Sequence, residues 1–159
     1  MPSSQIRSRF PRPAAVVWDY LLHLKDCERW MPAEELHGVA LLFDSGRYAG
    51  FQWAPDKPGV APIVSRVQRI DPCRSVQYRT VCATESNVPP SARAGFPFRS
   101  MKQSMVFNDS GSGCELVQHV ELEPNGLLGW LTCSLLLLPS VKRGVVESHR
   151  RLAELLREV

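Results

Sequence analysis

The feature that most limits what this chain can become is its C-terminal end, where the pattern turns helical after Pro124-Asn125-Gly126 and stays so to the last residue. Val141, Val145, Leu152, Leu155 and Leu156 recur at three-and-four spacing and make one apolar face. Lys142, Arg143, Glu147, Arg150, Arg151, Glu154 and Arg157 take the other side, which reads as a solvated face rather than a binding patch. His149 interrupts the apolar face, lying between Val145 and Leu152. Pro139 predicts a kink or break near the start of the amphipathic stretch. A single long helix with one apolar stripe must find a surface on which to bury it.

The preceding residues supply a sheet. Residues 5–10 form a first strand, in which Arg7 and Arg9 alternate with Ile6, Ser8 and Phe10. Pro13 opens a helix with Ala14, Val17, Trp18, Leu21 and Leu22 on one face, and a second short helix over residues 26–30 stops at Pro32. Strand patterns follow over residues 36–43 and 47–53, joined by the turn Asp44-Ser45-Gly46, and again over 63–70, 76–84, 101–107 and 115–123. The run Asp109 to Gly113 is a second hairpin turn. Residues 54–62 and 85–99 are proline-bearing loops. About seven strands, mostly in meander order, curved and antiparallel, leave space beneath a closing helix. At 159 residues the expectation is one α+β domain over 1–159.

Composition removes several function classes. A hydrophobic share of 44% with 22% charged residues provides for a buried core and excludes wholesale disorder. The net charge of +3 comes from scattered lysines and arginines, not the clustered stripe that nucleic acid requires, so no nucleic-acid partner is expected. Five cysteines form no CxxC pair, and neither a signal-peptide pattern nor an even disulfide set is present, which points to a reduced cytoplasmic setting. There is no metal signature, no glycine-rich phosphate loop and no Ser/His/Asp order, so neither metal nor cofactor is expected. Residues 127–138, LLGWLTCSLLLL, are too short to cross a bilayer and read as a buried helix. Membrane contact, suggested by Trp130, is the less favoured reading. The oligomeric state is left open.

Several motifs occur in a telling order. They are Phe10-Pro11-Arg12-Pro13-Ala14 leading to Val17-Trp18, Trp30-Met31-Pro32, Gly46 with Gly50, and Val67 to Ile70-Asp71-Pro72 with Val76 and Tyr78. Gly113-Cys114-Glu115-Leu116 and Pro124-Asn125-Gly126 complete the set. In this order the chain resembles the Bet v 1-like superfamily, also called START or SRPBCC domains, and within it the polyketide cyclase/dehydrase-type bacterial members. The resemblance implies a helix-grip fold with an internal cavity for a small hydrophobic molecule such as a lipid or polyketide. Cys114 departs from it, because threonine more often follows that glycine, and the loop over residues 85–99 is long enough to act as a lid.

Strand alternation selects the inward side chains. Exposed Arg66 and Gln68 would turn Ser65, Val67 and Arg69 inward, and Val76, Tyr78, Thr80 and Cys82 share an inner face. Leu116, Gln118, Val120 and Leu122 do the same on the last strand, leaving Glu115, His119, Glu121 and Glu123 outside. The expected ligand-binding set is Trp30, His37, Phe51, Trp53, Val67, Arg69, Tyr78, Gln118, Trp130 and His149, and Phe96 and Phe98 could also line the pocket. His37 has a plain reading as a surface histidine, His149 one as a satisfied core histidine, and Arg69 one as an internal ion pair. In the aromatase/cyclases that the chain resembles, an inward arginine and hydroxyl side chains orient a polyketone and move protons. Arg69, Tyr78 and Ser65 are the positions that could serve here. Ligand carriage is the favoured function and a cyclase-type enzyme its alternative, with a filled-core interaction protein third.

Overall fold

The computed structural model describes residues 1–32, 38–54, 62–82 and 98–159. The first strand β1 (Ser3–Phe10) leads into helices α1 (Ala14–Leu22) and α2 (Cys27–Trp30). Six strands follow: β2 (Val39–Asp44), β3 (Arg47–Trp53), β4 (Ile63–Asp71), β5 (Ser75–Cys82), β6 (Phe98–Ser110) and β7 (Gly113–Pro124). Helix α3 (Gly126–Thr132) continues through a π-helical turn, Cys133–Leu137, into α4 (Leu138–Glu158). All neighbouring strands run antiparallel in the order β1-β7-β6-β5-β4-β3-β2, an open helix-grip sheet in which the first strand closes against the last. His37, Phe96 and the expected lid at residues 85–97 lie outside the described residues, whereas Phe98 and Arg99 open β6.

Pro13 has no side-chain oxygen with which to cap α1. The Asp109 carboxylate, delivered by the far end of β6, instead accepts from the Ala14 backbone N–H at 2.8 Å. A carboxylate at this helix end satisfies an orphan donor and complements the helix dipole. The start of α1 is thereby tied to the β6–β7 hairpin.

Pro139 does not break the terminal helix. It lacks the N–H of a regular helical residue, and its ring crowds the carbonyl four residues earlier, in the π-helical turn. The widened turn relieves that crowding, and the chain runs on helically to Glu158. The apolar face of α4 then buries Leu152, Leu155 and Leu156 as the spacing predicts.

Two apolar clusters divide the interior. The larger joins Phe10, Val17, Trp18, Trp30, Phe107 and Leu116 to the buried leucines of α4. The smaller joins Phe98, Met101, Val120 and Leu122 to Cys133, with Leu137, Leu138 and Val141 packed partly against it. Alternation along β7 serves both, since Cys114, Leu116, Gln118, Val120 and Leu122 are all buried.

Candidate functional site

Strand register brings a set of polar side chains together on the concave face, between the two apolar clusters. One row across the sheet reads Ile6, Gln118, Met105, Val76 and the next Ser4, Val120, Gln103, Tyr78, Val67. A third reads Leu122, Met101, Thr80, Ser65, Phe51. Gln118, Gln103, Tyr78, Thr80 and Ser65 therefore form a polar band in an otherwise apolar wall.

The bonding in this band is uneven. The Ser65 and Thr80 hydroxyls lie 2.6 Å apart and satisfy one another. The Tyr48 and Tyr78 phenols lie 3.0 Å apart, and the Phe51 ring meets Tyr78 edge-on. Burial pushes both phenols above their ordinary pKa, so they act as hydrogen-bond donors rather than as bases. The Gln118 amide N–H donates to Gln103 Oε1 at a long 3.4 Å, and Gln103 in turn donates to the Met101 thioether at 3.6 Å. Gln118 Oε1 is buried with no hydrogen-bond partner among the described residues, as is the indole N–H of Trp53 on β3. Buried polar atoms of this kind are uncommon and costly when left unpaired.

His149 is buried on α4. Its Nδ1 is 2.7 Å from the Ser8 hydroxyl, its ring meets Phe10 edge-on, and burial lowers its pKa to about 4. The imidazole is neutral at pH 7 and satisfied, which matches its plain reading as a core histidine.

Other expected site residues are placed differently. Arg69 is exposed on the outer face, a correction with a local cause: Val67 pairs with Tyr78 and Arg69 with Gln77, so Gln68 is an extra residue in a β-bulge. One inserted residue inverts every later side chain on the strand. Arg69→Ala is accordingly expected to change stability by less than about 0.5 kcal/mol in urea unfolding. Trp130 is also exposed, at 46%. Trp30 is buried in the larger cluster and donates to the Lys25 carbonyl at 2.8 Å, so its polar atom is already used. Val67 and Phe51 pack at the edge of that cluster.

Tyr48 and Gln103 were missed. Gln103 was legible, since it shares the period-two face of Met101, Met105 and Phe107. Tyr48 was not, because Ala49 is an extra residue where Leu42 pairs with Gly50 and Phe43 with Tyr48, which reverses the alternation counted from Phe51 and Trp53. The described residues also bound open concavities, one of which counts Tyr78 and Gln103 of the band in its lining. One of about 470 Å³ sits at the β6–β7 turn beside Arg9 and Asn108, and one of about 420 Å³ lies on the outer face beside Arg79, Lys102 and His119.

A family model described as polyketide cyclase/dehydrase and lipid transport matches residues 1–157. Among solved structures, Ara h 8.0201 shares 10% identity at a TM-score of 0.69, with 99% of this chain and 98% of that one covered. Protein Ms6760 from Mycobacterium smegmatis shares 14% identity at a TM-score of 0.66, with 97% and 90% covered. DynU16, from the dynemicin biosynthetic locus, shares 14% identity at a TM-score of 0.60, with 99% of this chain and 48% of that one covered. No curated protein matches.

Proposed function

Because this chain belongs to the polyketide cyclase/dehydrase and lipid transport family, we propose that it binds a small, mainly apolar molecule against the concave face of its sheet, beneath the terminal helix. The observation that carries this reading is the buried Gln118 Oε1, an acceptor with no partner among the described residues. Trp53 contributes a second unmet group, a donor. The ligand chemistry that answers both is an apolar skeleton bearing a hydroxyl or N–H and, elsewhere, a carbonyl or ether oxygen. The apolar clusters on either side of the band supply the main binding energy, and the polar atoms set orientation.

Native mass spectrometry of the purified chain tests this. A co-purifying small molecule is expected with the wild type, and Gln118→Leu is expected to weaken its retention by about tenfold, the worth of roughly one buried hydrogen bond. The variant removes an unmet acceptor together with one long 3.4 Å hydrogen bond to Gln103, so its unfolding midpoint should change little. Recovery of the same molecule at the same occupancy from both proteins would sink the reading.

One observation favours the cyclase alternative: two phenol hydroxyls held together on the inner face, where Tyr78 and Tyr48 could donate to a developing enolate. The exposed position of Arg69 counts against it, as does the mutual bonding of Ser65 with Thr80. Incubating the recovered molecule with the protein separates the two, since carriage returns it unchanged and catalysis does not.

A further inference from the structure

Residues 127–138 carry the most apolar run of the chain, and the reading of that run as a buried helix is wrong for most of it. Only Gly129 and Cys133 are fully buried on α3 and the π-helical turn. Leu127 and Leu128 are 76% and 80% exposed, Leu135 and Leu136 69% each, and Trp130 and Leu131 are exposed beside them. Six large apolar side chains standing in water on one short stretch mark a surface that something covers.

The charge around the stretch says what. From Pro124 to Val146 there is no carboxylate, and the first charged residues after the leucines are Lys142 and Arg143, both exposed. Seven residues separate Leu135 from Lys142 and Leu136 from Arg143, just under two turns of a helix whose first residues here are π-helical, which sets each cation on roughly the same side as its leucine. A face with leucines and an indole at one end and cations at the other fits the boundary of an anionic bilayer, where apolar side chains enter the acyl layer and cations meet headgroups. No helix among the described residues is long and apolar enough to cross a membrane, so the mode is interfacial. A second copy fits less well: twofold pairing over this face would bring Lys142 and Arg143 toward their own images with no carboxylate from 124–146 to answer them.

The geometry points to α3 and the π-helical turn as a docking surface for a lipid bilayer with anionic headgroups. This stands independently of what the concave face binds. The full chain is to be sedimented with vesicles of phosphatidylcholine alone and with an equal mixture of phosphatidylcholine and phosphatidylglycerol. The wild type should bind the anionic vesicles roughly tenfold or more better, because each surface cation contributes about a fivefold gain. A double variant, Lys142→Gln with Arg143→Gln, should lose most of that preference. A quadruple variant with Leu127, Leu128, Leu135 and Leu136 each replaced by glutamine should lose binding to both vesicles while keeping its far-ultraviolet circular dichroism spectrum and unfolding midpoint, since all four side chains are exposed. Failure of the wild type to sediment, or retention of binding by the quadruple variant, overturns the proposal. So does an unchanged anionic preference in the double variant. A wild-type dimer that the quadruple variant converts to monomer also overturns it and assigns the face to a second copy.

Discussion

Gly50→Ala is expected to destabilise the fold by at least about 4 kcal/mol, a large part of the 5–15 kcal/mol that holds a typical domain together. Gly50 sits in β3 at a φ of +136°, next to the bulge at Ala49. A Cβ there would collide with the backbone carbonyl oxygen of Ser65 on β4, an atom that cannot rotate away without breaking the strand pair. Two costs therefore combine: a backbone angle that alanine resists, worth on the order of 1–3 kcal/mol, and a forced separation of β3 from β4. That separation would also move Phe51 and Tyr48 away from Tyr78 and so open the inner wall. Gly46→Ala is the matched control, because Gly46 has a positive φ of +77° but open space around its missing side chain. It should cost only about 1 kcal/mol. Urea unfolding of the two variants distinguishes a steric requirement from a purely conformational one, and losses equal within about 1 kcal/mol would refute the collision argument.

The second large effect is on pH dependence. The His149 imidazole is 5% exposed, and its pKa falls from 6.5 to about 4 because burial disfavours the charged form. Between those two values the unfolded chain binds a proton that the folded chain refuses. Stability is thus complete above pH 6.5, drains as the pH falls, and is lower by roughly 3 kcal/mol at pH 4. His149→Gln keeps a partner for the Ser8 hydroxyl but cannot titrate, so its stability should stay flat through this window while the wild type declines. The Glu147 carboxylate, held down to about 2 by Arg150 and Arg151, contributes its loss below pH 4.5 and does not mimic the effect. Identical unfolding midpoints of wild type and variant at both pH 7 and pH 4.5 would refute it.

Much of the fold was legible because its signals are local. Residues 47–53 alternate between two turn-compatible ends, and β3 occupies that range. Leu152, Leu155 and Leu156 recur at helical spacing and are buried together. The meander from β2 to β7 followed from the short turns between strands, whereas the pairing of β1 with β7 joins residues far apart in sequence and carries no local signal. The candidate site was legible only where alternation ran undisturbed: Ser65, Tyr78 and Gln118 face inward as period two requires. Arg69 and Tyr48 lie beyond bulges, and each appears on the face opposite to the one simple counting assigns.

By itself the sequence determined which segments become strands and helices and which stripe of the terminal helix seeks cover. Those properties depend on residues a few positions apart. Only the tertiary structure decided which side of the sheet Arg69 occupies, because a bulge is a relation between two strands rather than a property of one. It alone decided, too, that the leucines of residues 127–136 remain in water. Hydrophobicity states how strongly a side chain favours burial, but burial also needs a neighbour, and whether one arrives is settled by distant parts of the chain.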